Sequence, residues 1–212
     1  MDLIFGKRLM ASIRRSLAIL AAAVLALGAC NKSATVGAAS AEDMSLGSPN
    51  AKVTVAEYAS ASCPHCARFN NEVFPEFKKK YVDTGKVRYV FHEFLTPPVQ
   101  FAAAGFLTAR CAGPDKYFSV LDAIYRDQEN IYKSNDLRGG LLRIAQSAGM
   151  TEKQFTDCIS DEKALNALNA RVEKVSTQDN INATPTFIVN GTKLEGEQTL
   201  AQLDAAIAAA SK

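Results

Sequence analysis

Two cysteines separated by a proline and a histidine constrain this chain more than any other feature. The run Ser62-Cys63-Pro64-His65-Cys66 follows alternating β-formers over residues 52–58. Apolar residues at helical spacing, Phe69, Val73 and Phe77, come after it. Proline is favoured at the first helical position, so Pro64 places Cys63 at a helix cap and Cys66 one turn inside. A second strand-like run, residues 87–94, begins after the Thr84-Gly85 break and completes a β-α-β unit with a right-handed crossover. A dithiol at the βα turn of such a unit reads as redox-active. The plainer alternatives are a structural disulfide or half of a zinc site.

The helix expected over residues 67–81 contains Pro75, which should kink it. Residues 97–160 hold no convincing strand. Helices are expected there over Val99–Cys111, 115–127 and 136–148, and Thr151-Glu152-Lys153-Gln154 is a capping box that starts a fourth. Glu162–Gln178 reads as a longer helix with Leu165, Leu168, Val172 and Val175 as its buried stripe. Pro185 introduces a strand over 186–190, Asn190-Gly191 turns it into a return strand over 193–195, and an Ala-rich helix over 199–210 closes the chain. The order predicts an α/β domain made of residues 49–96 and 161–212, interrupted by a helical insertion over 97–160.

The first 29 residues are read apart from that fold. Lys7, Arg8, Arg14 and Arg15 stand against Asp2 alone, and residues 16–29 are small and apolar, too short a run to span a membrane comfortably. This is the pattern of an export signal. Removing its four bases and one acid leaves 20 Lys and Arg against 21 Asp and Glu. Near-neutrality gives no electrostatic case for nucleic-acid binding. Leu27-Gly28-Ala29-Cys30 resembles a lipobox, which makes Cys30 a lipidation site; the rival is cleavage near Ala39-Ser40-Ala41. Residues 30–48 are expected to be a flexible tether. Setting Cys30 aside leaves Cys63, Cys66, Cys111 and Cys158, an even number in an exported chain. A Cys111–Cys158 bridge is expected, with two buried free thiols as the alternative.

Only a thiolate attacks a disulfide. Cys63 at a cap meets unpaired N–H groups and the positive end of the helix dipole, and His65 adds a cationic or hydrogen-bonding neighbour. Cys63 is therefore assigned as nucleophile and Cys66 as resolving thiol. Glu57 shares strand parity with Val53 and Val55, so it should face the core and exchange a proton with Cys66. The alternative is an exposed strand-end glutamate. His92 reads as a structural strand-end histidine, and Phe101, Phe106 and Leu107 as core or as an apolar groove beside Cys63. Cu(I) or zinc binding by Cys63, His65 and Cys66 lacks a fourth ligand. Ala67 stands where haem attachment needs a histidine. No metal or cofactor is expected.

Glu57, Cys63-Pro64-His65-Cys66 and the distant Thr184-Pro185-Thr186-Phe187 together resemble the DsbA family of bacterial thiol:disulfide oxidoreductases, from about Gly47 to the C-terminus. The resemblance implies a thioredoxin-like fold with an inserted helical domain. It implies that Pro185 is a cis-proline beside the active disulfide that helps bind substrate backbone. Thr184 occupies a position that modulates redox behaviour, where the best-known members carry valine. The implied activity is a periplasmic oxidase that passes its disulfide to cysteine-containing translocated proteins. The implied partner is a DsbB-type membrane protein that reoxidises it, and a monomer is expected. Reductase and isomerase are the alternatives; residues 31–48 are short and polar for the N-terminal oligomerisation segment that known isomerases carry.

Overall fold

The computed structural model describes residue 37 and residues 42–212. The expected leader, the lipidation site at Cys30 and most of the expected tether lie outside the described residues. Among the described residues five strands form one sheet: β1 (Met44–Leu46), β2 (Val53–Ala59), β3 (Val87–Glu93), β4 (Thr186–Val189) and β5 (Thr192–Glu195), in the order β1-β3-β2-β4-β5. β2 and β3 run parallel, with Val53 opposite Val87, and the other neighbours are antiparallel. A central strand is covered on both faces, so β2 buries every residue but Thr54. Val53, Val55 and Ala59 join the main core with Phe187 and Val189. Ala56 and Tyr58 pack on the other face with Val90, Val175, Ile181 and Ile188. Asn190 and Gly191 link β4 to β5 at φ of 44° and 91°, the positive values a two-residue hairpin turn demands.

Strand β1 falls inside the stretch expected to be tether. Met44 pairs with Phe91 on β3, and Asp43 reaches His92 Nδ1 at 3.1 Å. Three residues without β-branching leave no periodicity to read, so the strand depends on its tertiary partner. His92 is buried and stacks on Tyr58 with ring centroids 4.6 Å apart, a structural role.

The single kinked helix expected over 67–81 is three pieces. α1 (Pro64–Glu72) ends where Val73 N–H reaches Phe69 O at 2.9 Å, because Pro75 has no N–H to continue the ladder. α2 (Phe74–Phe77) restarts the helix, and Lys78–Val82 is a wide π turn closed by Asp83 N–H on Lys78 O at 2.9 Å. Then follow α3 (Val99–Cys111), α4 (Tyr117–Ser134), α5 (Leu137–Ser147), α6 (Glu152–Ile159), α7 (Glu162–Gln178) and α8 (Leu200–Ala210). α4 runs well past residue 127, since Gln128 and Ile131 extend its buried stripe, and it stops at Asn135 in the left-handed region, φ 56°. Phe101, Phe106 and Leu107 are buried core residues rather than the walls of a groove. A disulfide joins Cys111, at the end of α3, to Cys158 on α6, with Cα atoms 6.3 Å apart.

Glu93 ends β3 with a side chain only 1% exposed. Its carboxylate accepts from Arg110 Nε at 2.6 Å, from Arg171 Nη2 at 2.9 Å and from the Tyr117 hydroxyl at 3.1 Å. One acid thus ties α3, α4 and α7 to the sheet. Glu93→Gln is expected to lower the unfolding free energy by about 3 kcal/mol, because two part-buried guanidinium groups lose their counter-charge. Urea titration at pH 7 reads this directly. A loss under about 1 kcal/mol would mean that Arg110 and Arg171 are satisfied by water.

Candidate active site

The turn before α1 is built from short polar residues. Ser62 Oγ donates to Thr96 O at 2.7 Å, Ser60 and Ser62 hydroxyls lie 3.0 Å apart, and Thr96 N–H donates to Ser60 Oγ at 3.2 Å. α4 satisfies the carbonyls of the same turn. Gln128 Nε2 donates to Ala61 O at 2.9 Å, and the Tyr132 hydroxyl donates to Ser62 O at 2.9 Å. The helical insertion therefore clamps the loop that carries Cys63. Pro64 is the first helical residue and Cys63 the N-cap, with φ −82° and ψ 120°.

Cys63 and Cys66 are free thiols here, both buried, with Cys63 6% exposed and Cys66 0%. Cys66 N–H donates to Cys63 Sγ at 3.4 Å, and the Cys63 thiol donates to Thr184 O at 3.5 Å across the cis Thr184–Pro185 peptide. The Cys63 pKa is brought down from 9.0 to about 5. The largest cause is donation from the Cys66 thiol; burial opposes it, and the Thr184 side chain and the backbone N–H groups of Cys66 and His65 assist. The Thr184 hydroxyl is buried and has no hydrogen-bond partner. Cys66 moves the other way, pushed well up by burial and by the neighbouring Cys63 and Glu57 charges. The pair divides into an ionised outer thiol and a protonated inner one.

His65 departs from expectation. Its N–H favours the Cys63 thiolate, but its imidazole is 62% exposed and turned to Glu197 and Arg68 instead of to the sulfur. Helix α1 directs the side chain outward, and a carboxylate stands there to meet it.

Glu57 faces the main core beneath α1, only 3% exposed, and the Tyr89 hydroxyl donates to its Oε2 at 2.5 Å. Burial raises its pKa from 4.5 to about 8, against the Tyr89 hydrogen bond and with help from Cys63. A cavity of about 320 Å³ is lined in part by Glu57, Tyr89, Tyr125 and Asp122. A buried acid with a raised pKa costs stability that grows as pH rises from the unfolded value to the folded one. Glu57→Gln is therefore expected to stabilise the disulfide form at pH 7 by about 3 kcal/mol relative to its effect at pH 4. Unfolding curves at the two pH values measure it, and equal effects at both would place Glu57 in contact with solvent.

A cysteine pair split in this way at a helix cap, facing a cis-proline loop on a mixed sheet, defines a dithiol protein of the thioredoxin fold. The model of the family described as Thioredoxin matches residues 39–209. The chain belongs to the thioredoxin family, as a DsbA-like member. It is 37% identical over 154 residues to a Rickettsia bellii protein provisionally named a protein-disulfide oxidoreductase, across 72% of this chain and 59% of that one. It is 29% identical to disulfide bond formation protein D of Bacillus subtilis, across 68% of this chain and 66% of that one. The match thus spans about three fifths to two thirds of the length of these curated relatives. The crystal structure of Wolbachia pipientis alpha-DsbA1 superposes with a TM-score of 0.72 at 29% identity, covering 81% of this chain and 92% of that one.

Ser60, Thr96, Gln128, Tyr132 and Glu197 support the site and escaped the sequence reading, as did the bracing role of Ser62. Gln128 and Tyr132 lie beyond the expected end of their helix, and serine and threonine in a turn carry no signal of which backbone group they brace.

Proposed function

We propose that the chain is an exported thiol oxidase, which passes the Cys63–Cys66 disulfide to translocated proteins that carry cysteines. The observation that carries this reading is Cys63 at the N-cap of α1, where Cys66 N–H donates to its sulfur at 3.4 Å and the site lowers its pKa to about 5. Stabilising one product of reduction favours the dithiol form, so the disulfide takes up electrons readily. The substrate thiolate attacks Cys63 Sγ, a mixed disulfide forms, and Cys66 leaves with the bond's electron pair and takes a proton from Glu57. The substrate's second thiolate attacks its own sulfur in that mixed disulfide, and Cys63 leaves as a thiolate. Two electrons have passed from the substrate dithiol to the Cys63–Cys66 pair. Pro185 and Thr184 line the side of Cys63 where substrate backbone would lie.

Residues 1–29 support export, and Cys30 is proposed as the lipid anchor that would hold the protein at the periplasmic face of a membrane. Reoxidation by a membrane partner of the DsbB type is proposed from the motif's resemblance to the DsbA family, and the protein is proposed to act as a monomer. Mixing the disulfide form with a reduced, unfolded protein of two cysteines tests the direction. The expected result is one substrate disulfide formed per enzyme, absent in Cys63→Ser. A reductase would leave the substrate reduced and, as dithiol, cleave substrate disulfides instead.

A further inference from the structure

Glu197 sits between β5 and α8 on a turn tied firmly to the proline loop. Gly196, at φ 80°, donates its N–H to Pro185 O at 2.9 Å. Buried Gln198 donates Nε2 to Glu195 O and to Gly196 O, each at 3.1 Å. From this turn the Glu197 carboxylate crosses to α1. Its Oε1 meets His65 Nδ1 and stands 3.1 Å from Arg68 Nε, while Arg68 Nη2 is 3.3 Å from the same His65 nitrogen. With Nδ1 engaged, the imidazole is held at the rim of the site and away from the Cys63 sulfur.

We propose that Glu197 is a positioning residue that restrains the oxidising strength of the Cys63–Cys66 disulfide by holding His65 away from Cys63. The inference rests on the exchange chemistry proposed above and is independent of its direction. The carboxylate occupies the ring nitrogen that would otherwise be free to turn toward a thiolate. That disfavours ionised Cys63, and so disfavours reduction of the disulfide.

Equilibration with glutathione tests this on the full-length protein, as wild type, Glu197→Gln, His65→Ala and the double variant. Glu197→Gln is expected to favour reduction about tenfold, which is about 30 mV for a two-electron couple. The ultraviolet absorbance of the Cys63 thiolate should then titrate at lower pH. In the His65→Ala background the same change should alter the constant by less than about twofold, since the route through His65 is gone. Glu197 is one-third exposed, so the variants should keep the wild-type unfolding midpoint. Glu197→Ala covers the case in which glutamine keeps the His65 contact. No shift in either variant, or a shift toward weaker oxidation, overturns the proposal, and so does a shift that survives His65→Ala. A reducing wild-type potential would sink the oxidase reading while leaving this difference measurable.

Discussion

The stability gap between the dithiol and disulfide forms is expected to widen with pH, by about 1.4 kcal/mol per unit between about pH 5 and pH 8. The cause is Cys63, whose pKa in the folded dithiol is about 5 against 9.0 for an ordinary thiol. A depressed acid contributes stability that is complete above the unfolded value and is lost as pH falls through the folded one. In the disulfide form Cys63 has no proton to release, so the effect belongs to the dithiol alone. Glu57 works in the opposite sense, costing stability as pH rises from 4.5 towards about 8. It is present in both forms and mostly cancels from the difference. Cys66 adds nothing in this range, because its thiol stays protonated. Across the range the dithiol should gain about 4 kcal/mol on the disulfide form. Urea titrations of both forms at pH 5, 6.5 and 8 check it. Parallel trends would show that the fold does not favour the Cys63 thiolate.

Removing the second disulfide is expected to cost about as much for a different reason. Cys111 and Cys158 are 47 residues apart, so their bridge closes a long loop in the unfolded chain. The chain-entropy model puts the loss for Cys111→Ala with Cys158→Ala at about 4 kcal/mol, or roughly 10 °C in Tm. The folded state should change little, because Phe106 and Leu107 of α3 and Phe155 of α6 stay buried in the same core. The denaturant slope distinguishes the two states. An unfolded chain freed of its cross-link exposes more surface, so the slope should rise as the midpoint falls. A lower midpoint with an unchanged slope would move the effect into native packing.

What the sequence made legible follows from how local its causes are. Helix caps, the Asn190-Gly191 turn and the apolar run of β2 are short-range patterns, and the elements they define lie within a few residues of expectation. The orientation of Glu57 was readable because strand parity is fixed by geometry. β1 was not, since Met44, Ser45 and Leu46 become a strand only beside β3. Pro75 announced an interruption, but its form, a break at Val73 and a π turn, depends on packing beneath. The clamp from Gln128 and Tyr132 and the Glu197–His65 contact join residues far apart in sequence. Only the tertiary fold brings them together, so His65 appeared from sequence to be a partner of Cys63 rather than of a distant carboxylate.

The central claim is that the fold stabilises the Cys63 thiolate enough to make the pair an oxidant. The equilibrium constant of the Cys63–Cys66 couple with glutathione at pH 7 tests it most directly, with Cys63→Ser as the blank. Dithiol proteins of this superfamily span about −270 to −120 mV. The account predicts a value nearer the upper end, and a potential at or below about −270 mV would contradict it.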